Sequence, residues 1–236
     1  ESVLILLHGF TGAPSSFRAT REYLGTSPLA APLLPGHGGT EGPRSLEDAF
    51  RVIDEARGGE PAHLAGYSMG GRLALHYALA RSGAVTALTL FGARPGIEDE
   101  RARHERLESD RRWAETLRSE GLDTFLSQWE ALPLLQPQSS DPAAKKESSD
   151  IRRTHESDGL ANAMEAFSVA ALPDLWPRLG ELAVKVQWVA GQYDAVYVGL
   201  MERASQSVGT FHTIPDAGHS VLVDNPRAVA GVIRQV

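Results

Sequence analysis

The chain has 236 residues, a formal net charge of −7, and 42% hydrophobic against 22% charged residues. At roughly 150 residues per domain this is one large domain or a domain with an insert, and the balance excludes a disordered or collagen-like chain. The acidic surplus argues against nucleic acid or an anionic membrane surface as partner, the lack of cysteine removes disulfides and thiolate chemistry, and no apolar run approaches the ~18 residues of a membrane span.

The sequence opens on Glu1 rather than Met, as expected of a chain that starts after a cut. Short apolar runs then alternate with helix-like segments, the pattern of a parallel sheet covered by helices. Residues 2–7 are a near-continuous Val/Leu/Ile run, as a strand buried on both faces requires. Residues 30–34 read as a weaker strand stopped by Pro35. Ser45-Leu46-Glu47-Asp48 resembles a capping box and opens a helix to about Arg57. A strand at 63–67 leads into a helix at 70–81 with Leu73, Leu75 and Leu79 at helical spacing and Gly83 after it. A strand follows at 85–91.

From Arg94 to Leu175 the rhythm breaks. No convincing strand is present, residues 98–120 are dense in both charges, and Trp113, Leu117, Phe125, Leu126 and Trp129 supply an interrupted apolar stripe. Pro133 and Pro137 mark a bend, and residues 161–171 form a second amphipathic helix. The expected organisation is a core of residues 1–93 and 176–236, with residues 94–175 as a helical cap over one end of the sheet. Strands at 186–190 and 210–214 and helices at 201–208 and 227–236 complete the α/β pattern.

Three places carry chemistry. Gly66-Tyr67-Ser68-Met69-Gly70-Gly71 follows a strand and opens a helix, the context a nucleophile elbow demands. Small residues at 66 and 70 allow a tight reversal that holds Ser68 at the carboxyl edge of the sheet, near the positive end of a helix. A serine hydroxyl is weak until a histidine takes its proton, and that histidine needs an orienting carboxylate. In this elbow class the order is serine, acid, histidine. His219 follows the last strand and Asp194 the strand before it, so both fall on the same edge as Ser68. Asp216 is too near His219 in sequence to face it, and Asp224 lies beyond it. His8, His37, His63, His76, His104, His155 and His212 read as loop, core or surface residues. His8-Gly9-Phe10-Thr11-Gly12 ends the first strand, and the backbone amides of Phe10 and Met69 would form an oxyanion pair.

With these sites in order the chain resembles the α/β-hydrolase superfamily over essentially its whole length. Four segments are similar to the MenH family of menaquinone-biosynthesis enzymes: His8-Gly9-Phe10-Thr11-Gly12, Leu34-Pro35-Gly36-His37-Gly38, Gly66 through Arg72, and the run Arg103-His104-Glu105-Arg106-Leu107-Glu108-Ser109-Asp110-Arg111-Arg112-Trp113-Ala114. The first three are shared by many hydrolases; Arg72 and the cap run are more selective. The resemblance implies an α/β-hydrolase fold and a cytoplasmic carbon–oxygen lyase that eliminates pyruvate from SEPHCHC to give SHCHC, with no cofactor and no metal. It implies a small polycarboxylate substrate met by Arg72, Arg106 and Arg152, with Tyr67 and Trp129 lining the pocket. Arg103 one turn from Arg106, and Arg153 beside Arg152, remain alternatives for the same carboxylates. Ser168-Val169-Ala170-Ala171 stands where some relatives have Gly-Thr-Gly, and Ala93 precedes Arg94-Pro95-Gly96 where others differ. Two other functions fit the triad: a serine hydrolase of small esters, thioesters or carbon–carbon bonds, and a silent ligand receptor, against which the intact Ser68, Asp194 and His219 argue.

Overall fold

A computed structural model describes residues 2–26 and 28–236. Six strands, β1 (Val3–Leu7), β2 (Leu29–Ala30), β3 (Ala62–Tyr67), β4 (Val85–Phe91), β5 (Lys185–Gly191) and β6 (Thr210–Ile214), form one sheet in the order β2-β1-β3-β4-β5-β6. Every pairing is parallel. All carboxyl ends therefore meet along a single edge, and the order reverses at β1, where neighbours on its two sides lead in opposite directions.

Each strand serves two cores. On one face Ile5, Leu7, Leu64, Leu88, Leu90 and Trp188 pack beneath α2 (Leu46–Arg57), α3 (Met69–Ala80) and α7 (Ala195–Ser205). On the other, Leu6, Ala65, Phe91, Val189 and Ile214 pack with Phe17, which leads into the short helix α1 (Arg18–Arg21), and with α9 (Pro226–Ile233). The period-two alternation within continuous apolar runs is what burial on both faces imposes. At the start of α2 the Asp48 carboxylate accepts the Ser45 amide at 3.2 Å, the reciprocal half of the expected capping box.

Between β4 and β5 the chain is helical: α4 (Glu100–Trp129), α5 (Pro142–Arg152) and α6 (Ser157–Ala166). Gly121, at φ 84° and ψ 174°, breaks α4 into two segments. Ala114, Leu117, Phe125 and Leu126 of α4 pack on Leu160, Ala161 and Met164 of α6, and Phe10 from the end of β1 reaches into this cluster. Among the described residues no helix is long and apolar enough to cross a membrane.

Four sequence expectations need correction. The strand expected at 30–34 is only Leu29–Ala30, because Pro32 has no N–H for the ladder and the Leu34 N–H is given to His8 Nε2 at 3.0 Å. The helix expected at 201–208 begins at Ala195, where the Asp194 side chain accepts the Tyr197 amide and caps it. The helix expected at 161–171 stops at Ala166, since Ser168 Oγ and O take the amides of Ala170 and Ala171 in a turn. The helix expected at 227–236 is Pro226–Ile233, capped by the Asn225 side chain and ending at Ile233, and a separate short helix, α8 (Val221–Asp224), precedes it.

One buried polar chain crosses the sheet: His63 Nε2 donates to Thr89 Oγ1 (2.9 Å), which donates to Gln187 Oε1 (2.9 Å). Burial draws the His63 imidazole down to about 4, so the ring is neutral. Thr89→Val is expected to strand both neighbours at about 1–3 kcal/mol for each unsatisfied group. Its thermal midpoint should fall by roughly 2–4 °C per kcal/mol, while Thr89→Ser stays near wild type. Equal midpoints for valine and serine would show that the bridge contributes nothing.

Candidate active site

Ser68 is held at φ 51° and ψ −110° between β3 and α3. A non-glycine residue with positive φ stores strain of order ~1–3 kcal/mol, and its surroundings sustain it. The Ser68 N–H donates to Phe91 O at 2.7 Å, and its carbonyl accepts the Arg72 amide at 3.0 Å. Close approach does the rest. A Cβ at Gly66 would meet the backbone of Gly70 and Gly71, and one at Gly70 would meet the carbonyls of Leu7 and His8. The start of α3 thus lies directly on the end of β1, which the small residues at 66 and 70 make feasible.

His219 stands on the loop after β6, with Nδ1 donating to Asp194 Oδ2 at 2.8 Å and Nε2 3.3 Å from Ser68 Oγ. The His219 and Asp194 side chains are both almost fully buried. Asp194 divides its oxygens: Oδ2 faces the imidazole while Oδ1 accepts the Tyr197 amide at 3.2 Å. The helix cap thereby fixes the carboxylate that fixes the ring. Of the carboxylates set aside from sequence, Asp216 accepts the Tyr193 hydroxyl at 3.1 Å. Asp224 accepts the amides of Gly218 and Ser139 at 2.9 Å each, and so braces the His219 loop against the segment after α4.

Two cavities meet at Ser68. One, of about 310 Å³, is lined by Phe10, Ser68, Met69, Arg72, Arg106 and His219 among others. The second, of about 410 Å³, is lined by Tyr67, Ser68, Trp129, Arg152 and Ser220 among others. Phe10, Ser68, Trp129 and Leu135 belong to both. Among the described residues, the amides of Phe10 and Met69 donate to no protein acceptor. A substrate reaching from one lobe to the other passes over Ser68 Oγ.

The arginines differ in their commitments. Arg72 gives one Nη to Phe167 O at 3.0 Å, while its buried Nε has no partner. Burial, aided by nearby Arg106, lowers its guanidinium to about 10 against the opposing pull of Tyr197 and Asp110. Arg106 spends Nε on both oxygens of the buried Asp110 (2.8 and 3.0 Å), leaving its other nitrogens uncommitted, whereas Arg103 donates to Ala170 O and lines neither cavity. Arg152 rests 3.3 Å from Glu130 on a cavity wall; Arg153, bonded to Ser149, does not line it. Trp129 is at once cap core, stacked on Phe125 at 5.3 Å, and a wall of both lobes. The Tyr67 ring lies 5.6 Å from the imidazole, its phenol raised by burial.

Sequence reasoning missed two neighbours of the imidazole. Tyr197 packs its ring 4.5 Å from that of His219 and lines the Arg72 lobe. A Cβ at Gly92 would come within 2.8 Å of His219 Cε1, so the glycine after β4 makes room for the ring. Gly92 was legible as a glycine closing an apolar run; Tyr197 left no local signal.

Residues 4–232 match the alpha/beta hydrolase family. A protein of Salmonella agona (strain SL483) named 2-succinyl-6-hydroxy-2,4-cyclohexadiene-1-carboxylate synthase is 32% identical, over 99% of this chain and 92% of its own. MenH from S. aureus superposes with a TM-score of 0.92 at 27% identity, over 99% of this chain and 92% of that one. A malate-bound thermophilic esterase from Thermogutta terrifontis gives 0.80 at 26% identity, over 100% and 89%.

The unpartnered Nε of Arg72 predicts an anion site. Succinate should bind and change the fluorescence of the lining Trp113 and Trp129. Charge-assisted hydrogen bonds contribute ~1.5–3 kcal/mol, so Arg72→Ala should weaken binding roughly 10- to 150-fold. Arg101→Ala, exposed and paired with Glu105, should leave it unchanged. Identical titrations for wild type and Arg72→Ala would remove Arg72 from anion recognition.

Proposed function

The chain belongs to the alpha/beta hydrolase family, and from that premise we propose that it is a carbon–oxygen lyase eliminating pyruvate from SEPHCHC to form 2-succinyl-6-hydroxy-2,4-cyclohexadiene-1-carboxylate, in menaquinone biosynthesis and in the cytoplasm. Residues 1–93 and 176–236 act as the core, and residues 94–175 as a cap that closes the site over a small polycarboxylate. The observation that carries this reading is the placement of a half-buried arginine, Arg72, whose buried Nε is unpartnered, in one cavity with Ser68 and His219. An esterase of neutral substrates has no use for an uncompensated guanidinium beside its serine. A substrate with several carboxylates does, and the planar fork of arginine suits them better than an ammonium.

The chemistry follows from the site. His219, oriented by Asp194, takes the Ser68 proton as the serine oxygen takes a proton from the substrate carbon beside a carbonyl. The electron pair left on carbon moves toward the carbonyl, and the charge on its oxygen faces the Phe10 and Met69 amides at the positive end of α3. Collapse of this anion breaks the carbon–oxygen bond. The leaving enolate of pyruvate takes up the proton held by His219 and becomes pyruvate, which restores the neutral imidazole, so no water is consumed and no cofactor enters. Arg72 and Arg106 receive carboxylates in one lobe and Arg152 in the other, with Tyr67 and Trp129 as walls.

Kinetics of variants on SEPHCHC test the assignment. Ser68→Ala and His219→Ala should each lose activity by orders of magnitude with the fold intact, and Asp194→Asn should be severe because the amide favours the wrong imidazole tautomer. Arg72→Ala, Arg106→Ala and Arg152→Ala should each lower kcat/KM roughly 10- to 150-fold, from ~1.5–3 kcal/mol per pairing, with only partial rescue by lysine. Near-wild-type turnover in Ser68→Ala would remove the serine from the mechanism. Three silent arginine variants would hand the site to the serine-hydrolase alternative that the esterase likeness represents.

A further inference from the structure

Three histidines lie together away from the reacting serine. The ring of His37 stands between His8 (4.8 Å) and His155 (5.2 Å), each pair edge to face, and all three are buried. They come from three places: His8 ends β1, His37 sits in the Gly-rich loop after β2, and His155 lies between α5 and α6, three residues beyond Arg152. Hydrogen bonds of two of them, His37 and His155, converge on Thr11. The Thr11 N–H donates to His37 Nε2 at 3.2 Å, and the Thr11 carbonyl lies 2.9 Å from His155 Nε2. Thr11 itself is buried at φ 60°, a left-handed conformation unusual for a β-branched residue.

The partners fix every tautomer. A backbone N–H can only donate, so His37 Nε2 is bare and its proton is on Nδ1, 3.2 Å from Pro35 O. His8 follows the same logic, with Nε2 accepting the Leu34 N–H at 3.0 Å and Nδ1–H facing Gly9 O at 2.9 Å. His155 is the reverse: Nδ1 accepts the Gly38 N–H at 2.8 Å, so Nε2–H donates to Thr11 O. Each ring uses one acceptor and one donor nitrogen, which only the neutral form can do. Among the described residues no carboxylate pairs with any of the three. Burial and mutual repulsion hold His37 well below the ordinary imidazole value, and burial likewise lowers His8 to about 4.

Thr11 follows Phe10, whose amide stands as an oxyanion donor, and Phe10 O is engaged by the Thr11 hydroxyl at 2.6 Å. We propose that His37 and His155, backed by His8, are positioning residues that clamp Thr11 from both sides of its strained backbone and so aim the Phe10 amide at the reacting carbonyl. This rests on the oxyanion role given to Phe10 above. Because His155 belongs to the insert that also carries Arg152, seating the insert and setting the oxyanion loop become one event.

The test has two parts. Long-range ¹H–¹⁵N spectra of the wild-type protein at neutral pH should show Nδ1–H tautomers for His8 and His37 and the Nε2–H tautomer for His155. A cationic His37, or one protonated on Nε2, overturns the clamp without any variant having to fold. His37→Phe, which keeps a ring but no acceptor, should shift the Thr11 amide resonance. It should cut kcat on SEPHCHC by about tenfold or more, toward the ~10²-fold expected when one oxyanion donor is lost, with KM within about twofold. His37→Gln, which restores an acceptor, should recover most of kcat. An unmoved Thr11 resonance overturns the clamp. A shifted resonance with kcat unchanged overturns its catalytic purpose and removes the Phe10 amide from the mechanism. If wild type does not turn over SEPHCHC at all, the lyase reading fails, while the tautomers and the Thr11 resonance still decide the clamp.

Discussion

The contact between the first turn of α3 and the carboxyl end of β1 constrains everything else in this protein. Gly70 rests against the carbonyls of Leu7 and His8, and Gly66 against the backbone of Gly70 and Gly71. No side chain fits there. The close approach bends the chain through the strained conformation of Ser68 and brings the helix's free N-terminal amides beside Phe10. Parallel strands then deliver the remaining groups without further design, since Asp194 and His219 follow β5 and β6 on the same edge. Strain at the serine is offset by the sheet: its amide bonds to Phe91 of β4 while its own strand pairs with β1 and β4.

Electrostatics set the second theme. An acidic chain with a net charge of −7 repels polyanions at long range, so the recognition proposed for a polycarboxylate is local. Arg106 and Arg152 keep carboxylate neighbours, Asp110 and Glu130, that orient them. Arg72 has none within ion-pairing distance among the described residues, and its buried Nε is free. A buried group so placed costs stability until an anion arrives, the kind of local conflict that marks a working site rather than a folding device. The two lobes meeting at Ser68 give such an anion room on both sides of the serine.

Much of this was legible in the sequence because it is written locally. Strands β1, β3, β4, β5 and β6 are apolar runs bounded by turn residues, and the elbow is six consecutive residues in the required context. Ser68, Asp194 and His219 followed from chain order and strand ends alone. What escaped depends on distant partners. Leu33 and Leu34 look like strand residues, yet Pro32 and the bond from the Leu34 N–H to His8 take them out of the ladder. The start of α7 carries Val196, Tyr197 and Val198, poor helix formers, and is helical because Asp194 caps it. Tyr197 is brought against His219 by that same cap. The histidines at 8, 37 and 155 each look unremarkable singly; only the fold brings their rings edge to face beside Thr11.

Wild-type turnover of freshly made SEPHCHC, followed for pyruvate and for the diene product together and set beside a panel of uncharged esters, bears most directly on the claim that this hydrolase scaffold performs an elimination. The account predicts pyruvate and 2-succinyl-6-hydroxy-2,4-cyclohexadiene-1-carboxylate appearing in equal amounts, with kcat/KM far above that for any ester. Brisk ester hydrolysis with SEPHCHC left unchanged would contradict it.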